Sequence, residues 1–203
     1  MTQRPVAVGV FDGVHIGHRA VLEALVRAGG RSRVVTFVPH PVVSTQLLSS
    51  VARRVELIRA TGVDDVLVAP ADSWAEAADL EHSTLVRGPG GVRGAEPSDD
   101  LVVPLVEGVS SEHIRRLVAA ANLDSAARLL GRPFEVEGIV VAGDRRGKLL
   151  GFPTANLEVP PEQLLPPKGI WANNALRRTP PSSRNGSRAS AEQSSCRSQP
   201  RRR

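Results

Sequence analysis

Val6-Ala7-Val8-Gly9-Val10-Phe11-Asp12-Gly13-Val14-His15-Ile16-Gly17-His18 decides the fold, because here an apolar run turns into a helix and carries two histidines three residues apart. Val6 to Phe11 reads as a buried parallel strand, Asp12-Gly13 as the turn, and Ala20 to Val26 as the helix that follows. Residues at i and i+3 share a helix face, so His15 and His18 both point toward the crevice at the carboxyl end of the strand, where open α/β sheets bind ligands. Free backbone N–H groups and the positive helix end lie beside them. Gly9, Phe11, Asp12 and Gly13 lie along the same bend and are candidate nucleotide-binding positions. Two imidazoles there suit hydrogen bonds to the oxygens of a nucleotide α-phosphate and stabilisation of the charge of an in-line displacement, with no covalent intermediate. An isolated H-x-G-H reads equally well as two capping histidines; the strand before it and the amphipathic helix after it favour the nucleotide site.

Outward from this unit, strand and helix signals alternate as a parallel sheet requires. Arg33 to Phe37 is the second strand, Ser50 to Thr61 a helix with apolar Val51, Val55 and Ile58, and Asp65 to Ala69 the third strand. Ser73 to Leu80 reads as a short helix, Thr84 to Arg87 as a fourth strand and Leu101 to Val106 as a fifth. Right-handed crossovers then give a doubly wound domain with helices on both faces.

The chain has 203 residues, 41% hydrophobic and 23% charged, enough for one good core or two small ones. Aromatics are 3% with no tyrosine, so stacking platforms for single-stranded nucleic acid are scarce. No apolar run is long enough to cross a bilayer, and the N-terminus has no apolar signal-peptide core, so a cytoplasmic location is the default expectation. Cys196 is the single cysteine, and no Cys/His cluster has zinc spacing. The net charge of +5 is uneven: from Asn173 onward eight arginines face Glu192 alone, leaving +7 there and −2 on the rest. The expected folded part is thus slightly acidic and is no footprint for specific nucleic-acid binding.

Thr36-Phe37-Val38-Pro39-His40-Pro41 stops the second strand, since neither proline donates a ladder hydrogen bond. Pro39, His40 and Pro41 are either a plain strand terminator or a rigid ligand wall at the edge that holds His15 and His18. After the fifth strand, Ser110-Ser111-Glu112-His113-Ile114-Arg115 starts a helix with a good serine cap and buried Ile114, Leu117 and Val118. Taken alone this start is a plain helix cap; beside the histidine pair, Ser110, Ser111 and Arg115 read as a second anion cradle, suited to β- and γ-phosphates.

At Gly131 the style changes. A short helix from Asp124 to Leu130 ends, and Phe134 to Val141 alternates as an antiparallel strand, the expected start of a second module. Gly151-Phe152-Pro153-Thr154-Ala155-Asn156 sets Thr154 and Asn156 on one face of extended chain, where a hydroxyl and an amide suit a metal–phosphate group or simply an exposed polar face.

Phe11–His18, Thr36–Pro41, Ser110–Arg115, Leu129–Phe134 (Leu-Leu-Gly-Arg-Pro-Phe) and Gly151–Leu157 occur in the order found in the bacterial bifunctional riboflavin kinase/FMN adenylyltransferases, or FAD synthetases, which the chain resembles from Pro5 to about Ala172. The resemblance implies a Rossmann-like nucleotidyltransferase domain over 1–121, which transfers AMP from ATP to FMN and releases pyrophosphate. A linker helix and an antiparallel β-barrel module of riboflavin kinase type would follow over 122–172. It implies His15, His18 and Arg115 as catalytic, Pro39 to Pro41 as flavin-side wall, and Thr154 and Asn156 as holders of Mg²⁺ and ATP phosphates in the kinase. ATP and FMN would be substrates, and riboflavin a third if the kinase works.

Two departures stand out. The family's Gly-x-[Asp/Asn]-Phe flavin loop is replaced by Leu85 to Gly94, which has glycines and arginines but no aromatic residue. From Asn173 to Arg203 the composition is Arg, Ser and Pro without strand periodicity, which predicts a disordered basic tail, an incomplete barrel and an inactive kinase, as a frame-shifted or degenerate gene would give. Two other functions fit less of the sequence: a non-catalytic nucleotide- or flavin-binding relative, and an H-x-G-H nucleotidyltransferase with a different acceptor.

Overall fold

The computed structural model describes residues 4–40, 46–79, 83–88, 101–143, 151, 154–178 and 193–199. Strands β1 (Arg4–Val8), β2 (Arg33–Phe37), β3 (Asp65–Ala69), β4 (Ser83–Arg87) and β5 (Leu101–Val102) form one sheet in the order β3-β2-β1-β4-β5, with every adjacent pair parallel. Helices α1 (Ile16–Arg27), α2 (Val51–Arg59) and α3 (Trp74–Ala78) connect successive strands, and α4 (Ser111–Ala119) and α5 (Leu123–Leu130) follow the sheet.

The alternation of strand side chains sorts the core into two layers. Ala7, Val34 and Val86 face Leu22 and Leu25 of α1 and Ile58 of α2, whereas Val6, Val8, Val35, Phe37 and Leu85 face Ala78 of α3. The sheet is therefore covered on both faces, the expected Rossmann-like class. Each fully buried aliphatic side chain in these layers contributes about 1.5–3 kcal/mol. β5 is shorter than the sequence suggests: Val103 still donates to Arg87 O at 2.8 Å, but Pro104 has no N–H to continue the ladder.

The second sheet is antiparallel, in the order β7-β6-β9-β8, from β6 (Glu135–Val141), β7 (Asn156–Glu158), β8 (Ala172–Arg178) and β9 (Gln193–Gln199). β8 and β9 run through the stretch whose composition predicts disorder. The difference has a physical source: ladder bonds join backbone groups, and apolar periodicity, absent here, does not report them.

A seam joins the two sheets. α4 and α5 share a core with Leu48, Phe134 and Leu164, formed by Ile114, Val118, Leu123, Ala126 and Leu130. Leu47 N–H donates to Glu162 O at 2.7 Å and Leu164 N–H to Leu47 O at 2.8 Å. Arg53 of α2 grips Glu135 of β6 with two bonds of 2.7 and 3.0 Å, and Ser50, the α2 N-cap, bonds Glu137. No helix among the described residues is long and apolar enough to cross a membrane.

Candidate active site

The bend after β1 is tight and unusual. Phe11 and Val14 have φ of 51° and 40°, and Gly13 lies at 75°. Left-handed backbone is disfavoured for a β-branched valine, so the surroundings must fix it. They do so from three segments of chain. The Asp12 carboxylate, 1% exposed, accepts the N–H of Leu48 at 3.0 Å, that of Ser49 at 3.3 Å and Arg115 Nη2 at 2.7 Å. Gly13 N–H donates to Ser49 Oγ at 3.1 Å, the Ser111 hydroxyl to Asp12 O at 3.1 Å, and Arg132 Nη2 to Gly13 O at 2.8 Å.

This frame presents the histidines. Sequence spacing puts both on one helical face, but α1 begins at Ile16, so His15 caps the helix instead of riding on it: its Nδ1 accepts His18 N–H at 3.2 Å. That bond assigns the ring proton of neutral His15 to Nε2, which is left to donate. The two imidazoles stack, with centroids 3.6 Å apart and planes 16° apart, and the edge of Phe11 abuts His18 at 5.3 Å. Burial lowers His15 to a pKa of about 4, against an opposing pull from Asp12 and with help from Arg132 and Arg115. Burial, then His15 and Arg54, pushes His18 well below the usual imidazole value. Both rings are therefore neutral at pH 7, each with one ring N–H to donate.

They line a cleft of about 610 Å³ together with Gly9, Phe11, Gly17, Val86, Arg87, Gly88, Val106, Ser110 and Ser111. The cleft opens between the carboxyl ends of β1 and β4, where the strand order reverses, the usual ligand position in such sheets. Its described lining has the N-terminal residues of α1 and α4 and the cation Arg87 but no Asp or Glu, a lining suited to an anion.

The predicted residues are brought together in part. Gly9, Phe11, His15, His18, Ser110 and Ser111 converge on the cleft. Asp12, Gly13 and Arg115 lie behind it: Arg115 Nε donates to Gln46 O at 2.8 Å while Nη2 holds Asp12, so this arginine is spent on the seam rather than turned to the cleft. Ser110 caps α4 through His113 N–H at 3.1 Å. Pro39 and His40 are outside the cleft lining, which Phe37 and Ala71 supply instead, and Pro41 lies outside the described residues. Of the atypical loop, Leu85 to Gly88 are described and 89–94 are not. Thr154 and Asn156 are exposed, and Asn156 pairs across from Val141. Among the described residues no cluster of three His, Cys, Asp or Glu is arranged to hold a metal.

Sequence reasoning missed Arg87, Val106 and Ala71 in the lining, because which strand lies beside β1 is a matter of topology. It also missed the supporting partners Leu48, Ser49 and Arg132.

The FAD synthetase family model matches residues 2–83, and the riboflavin kinase family model matches residues 130–191, past Ala172, where the motif likeness stops. The bifunctional riboflavin kinase/FMN adenylyltransferase of Escherichia coli K12 is 30% identical over 83% of this chain and 67% of its own length. The chain belongs to this family. The Listeria monocytogenes protein of the same name is 32% identical over 82% of this chain and 66% of its own, so the chain spans about two thirds of the relatives it matches. A solved structure described as "Crystal Structure of Macrolide-efflux Protein from Streptococcus pneumoniae" has a TM-score of 0.75, covers 97% of this chain and 85% of its own, and is 20% identical. That likeness concerns the fold alone.

Proposed function

We propose that this chain transfers the adenylyl group of ATP to FMN, acting on free nucleotides in the cytoplasm. A phosphate oxygen of FMN attacks the α-phosphorus of ATP; the bond from that phosphorus to the bridging oxygen breaks, and pyrophosphate leaves. The observation that carries this reading is the neutral, stacked His15–His18 pair at the start of α1, opening on a cleft with no carboxylate among its described lining residues. His15 Nε2–H and the N–H of His18 donate to the α-phosphoryl oxygens as charge gathers there, while Ser110 and the first turn of α4 border the pyrophosphate side. Neither histidine exchanges a proton with substrate; both act by position. Magnesium would fit as an ion carried in on the nucleotide, where it would neutralise phosphate charge; the described lining of the cleft holds no carboxylate to ligate it. In the second module the Thr154 hydroxyl and Asn156 amide oxygen are hard neutral donors for such a metal–phosphate group, consistent with a riboflavin kinase ancestry; the kinase step itself we propose to be inactive.

The test is pyrophosphate release by the purified chain with ATP, Mg²⁺ and FMN. FMN-dependent release that falls by about 10³-fold in a His15→Ala/His18→Ala variant is expected. ATP binding without release would replace this reading with that of a non-catalytic nucleotide-binding relative.

A further inference from the structure

Leu129-Leu130-Gly131-Arg132-Pro133-Phe134 is a motif that neither the phosphate chemistry nor the flavin wall uses. In the fold it is the corner between α5 and β6. Gly131, at φ +69°, ends α5 and turns its N–H back to Ala127 O and Arg128 O. The corner then lies against the histidine bend on both sides. Before His15, Arg132 Nη2 donates to Gly13 O at 2.8 Å and Nη1 reaches Val14 O at 3.5 Å, while the Leu130 side chain sits 3.3 Å from where a Gly13 Cβ would stand. After it, a Cβ on Gly131 would stand 3.1 Å from both Ile16 and Arg19 of α1. Arg132 is itself placed by the second module. Its Nε is 3.9 Å from Glu135, the first residue of β6, which Arg53 holds from the other side.

We infer that Arg132 is a positioning residue for adenylyl transfer: it pins the carbonyls of Gly13 and Val14, keeps the strained bend in register, and thereby makes the corner that opens the second module part of the first module's phosphate site. This rests on the adenylyltransferase reading. The guanidinium is suited to the task because two carbonyls need a planar, two-pronged donor, which an ammonium is not. Its charge also acts on His15, which faces Asp12, Arg115, Arg132 and His18, the last in turn under the field of Arg54. A purely structural corner would affect folding but not the histidines of a folded variant.

The experiment uses the full chain with Arg132→Met and Arg132→Lys, measuring FAD formation with ATP, Mg²⁺ and FMN, together with the imidazole NMR signals of His15 and His18 across pH. In folded Arg132→Met we expect kcat to fall about 10²-fold with KM for FMN held within about twofold, and His15 to titrate at higher pH. In Arg132→Lys the charge stays, so His15 keeps its low titration, but one carbonyl loses its donor and kcat still falls about tenfold. Wild-type kcat and unmoved imidazole signals in folded Arg132→Met would overturn the inference, and so would wild-type kcat in Arg132→Lys should the methionine variant fail to fold. If the wild-type chain makes no FAD, the adenylyltransferase reading fails on that arm alone. The imidazole signals then decide: His15 and His18 ring shifts displaced at pH 7 in Arg132→Lys, where the charge stays, support the corner's role, and shifts identical to wild type remove it.

Discussion

The phosphate bend at Asp12–His18 and the Thr154–Asn156 pair are both candidate ATP-phosphate sites, yet they are built in opposite ways. Asp12 and His15 are 1% and 5% exposed, and their bend is held by α2's approach, α4 and the corner at Arg132; Thr154 and Asn156 stand exposed, Asn156 at the start of the edge strand β7. A transition state with charge spread over several oxygens needs donors already in place, because moving them during the reaction costs the stabilisation they give. The first region has the donors fixed in advance and the second leaves them to be fixed by whatever binds. The difference teaches that preorganisation here comes from polar groups distant in sequence, not from the motif that displays the histidines.

The largest blow to that contrast is Asp12→Ala. It strands the Arg115 guanidinium and the Leu48 and Ser49 amides, all at or below 3.3 Å from the carboxylate, in a buried place. Losing one partner of such a buried pair costs about 3–5 kcal/mol. Urea unfolding checks this, and a drop below about 1 kcal/mol would mean that Asp12 is not the hub of the bend.

Acid offers the next lever. The folded chain holds His15 at a pKa of about 4, against 6.5 for an exposed imidazole, so the unfolded chain takes up the proton first as pH falls. Stability from this source is complete above pH 6.5 and drains away toward pH 4, by about 3 kcal/mol. The same neutrality predicts FAD formation that shows no inflection from His15 between pH 6 and 8. A titration of the His15 imidazole signal near 6.5 in the folded chain would contradict both.

Gly13→Ala is expected to act less strongly on stability but directly on the site. Its φ of +75° is strained for alanine, and the new Cβ would stand 2.9 Å from Leu48 Cδ1. A loss of about 2 kcal/mol follows, with kcat falling as the histidines shift. An unchanged melting temperature would show that the bend has slack.

The sheet was legible in the sequence because it rests on short-range periodicity: Arg33–Phe37 and Asp65–Ala69 have the same ends in both readings. The H-x-G-H pair was legible because a strand, a turn and a helix flank it within a few residues. The bond from Arg115 to Asp12 was not legible, since an arginine one turn into a helix looks the same whether it faces a cleft or a buried aspartate 103 positions away. Arg87 and Arg132 escaped for the same reason: their placement depends on which strands and corners are neighbours in space. The tail's β8 and β9 escaped because backbone pairing leaves no mark on a composition of asparagine and arginine in the one and serine, glutamine and arginine in the other.

The smallest effect is the one that sharpens the comparison most. Thr154→Ala and Asn156→Ala remove exposed polar groups, so stability is expected to change by less than about 0.5 kcal/mol and FAD formation by less than about twofold. Measured beside Arg132→Met, they separate two ways in which the second module can matter to adenylyl transfer. If it matters only through the corner at Arg132, its own candidate ATP ligands are irrelevant to FAD formation and the two sites are independent. A tenfold fall in FAD formation in Thr154→Ala, with pyrophosphate release falling in step, would mean that one nucleotide touches both regions, and the exposed pair would then belong to the same preorganised site as His15 and His18.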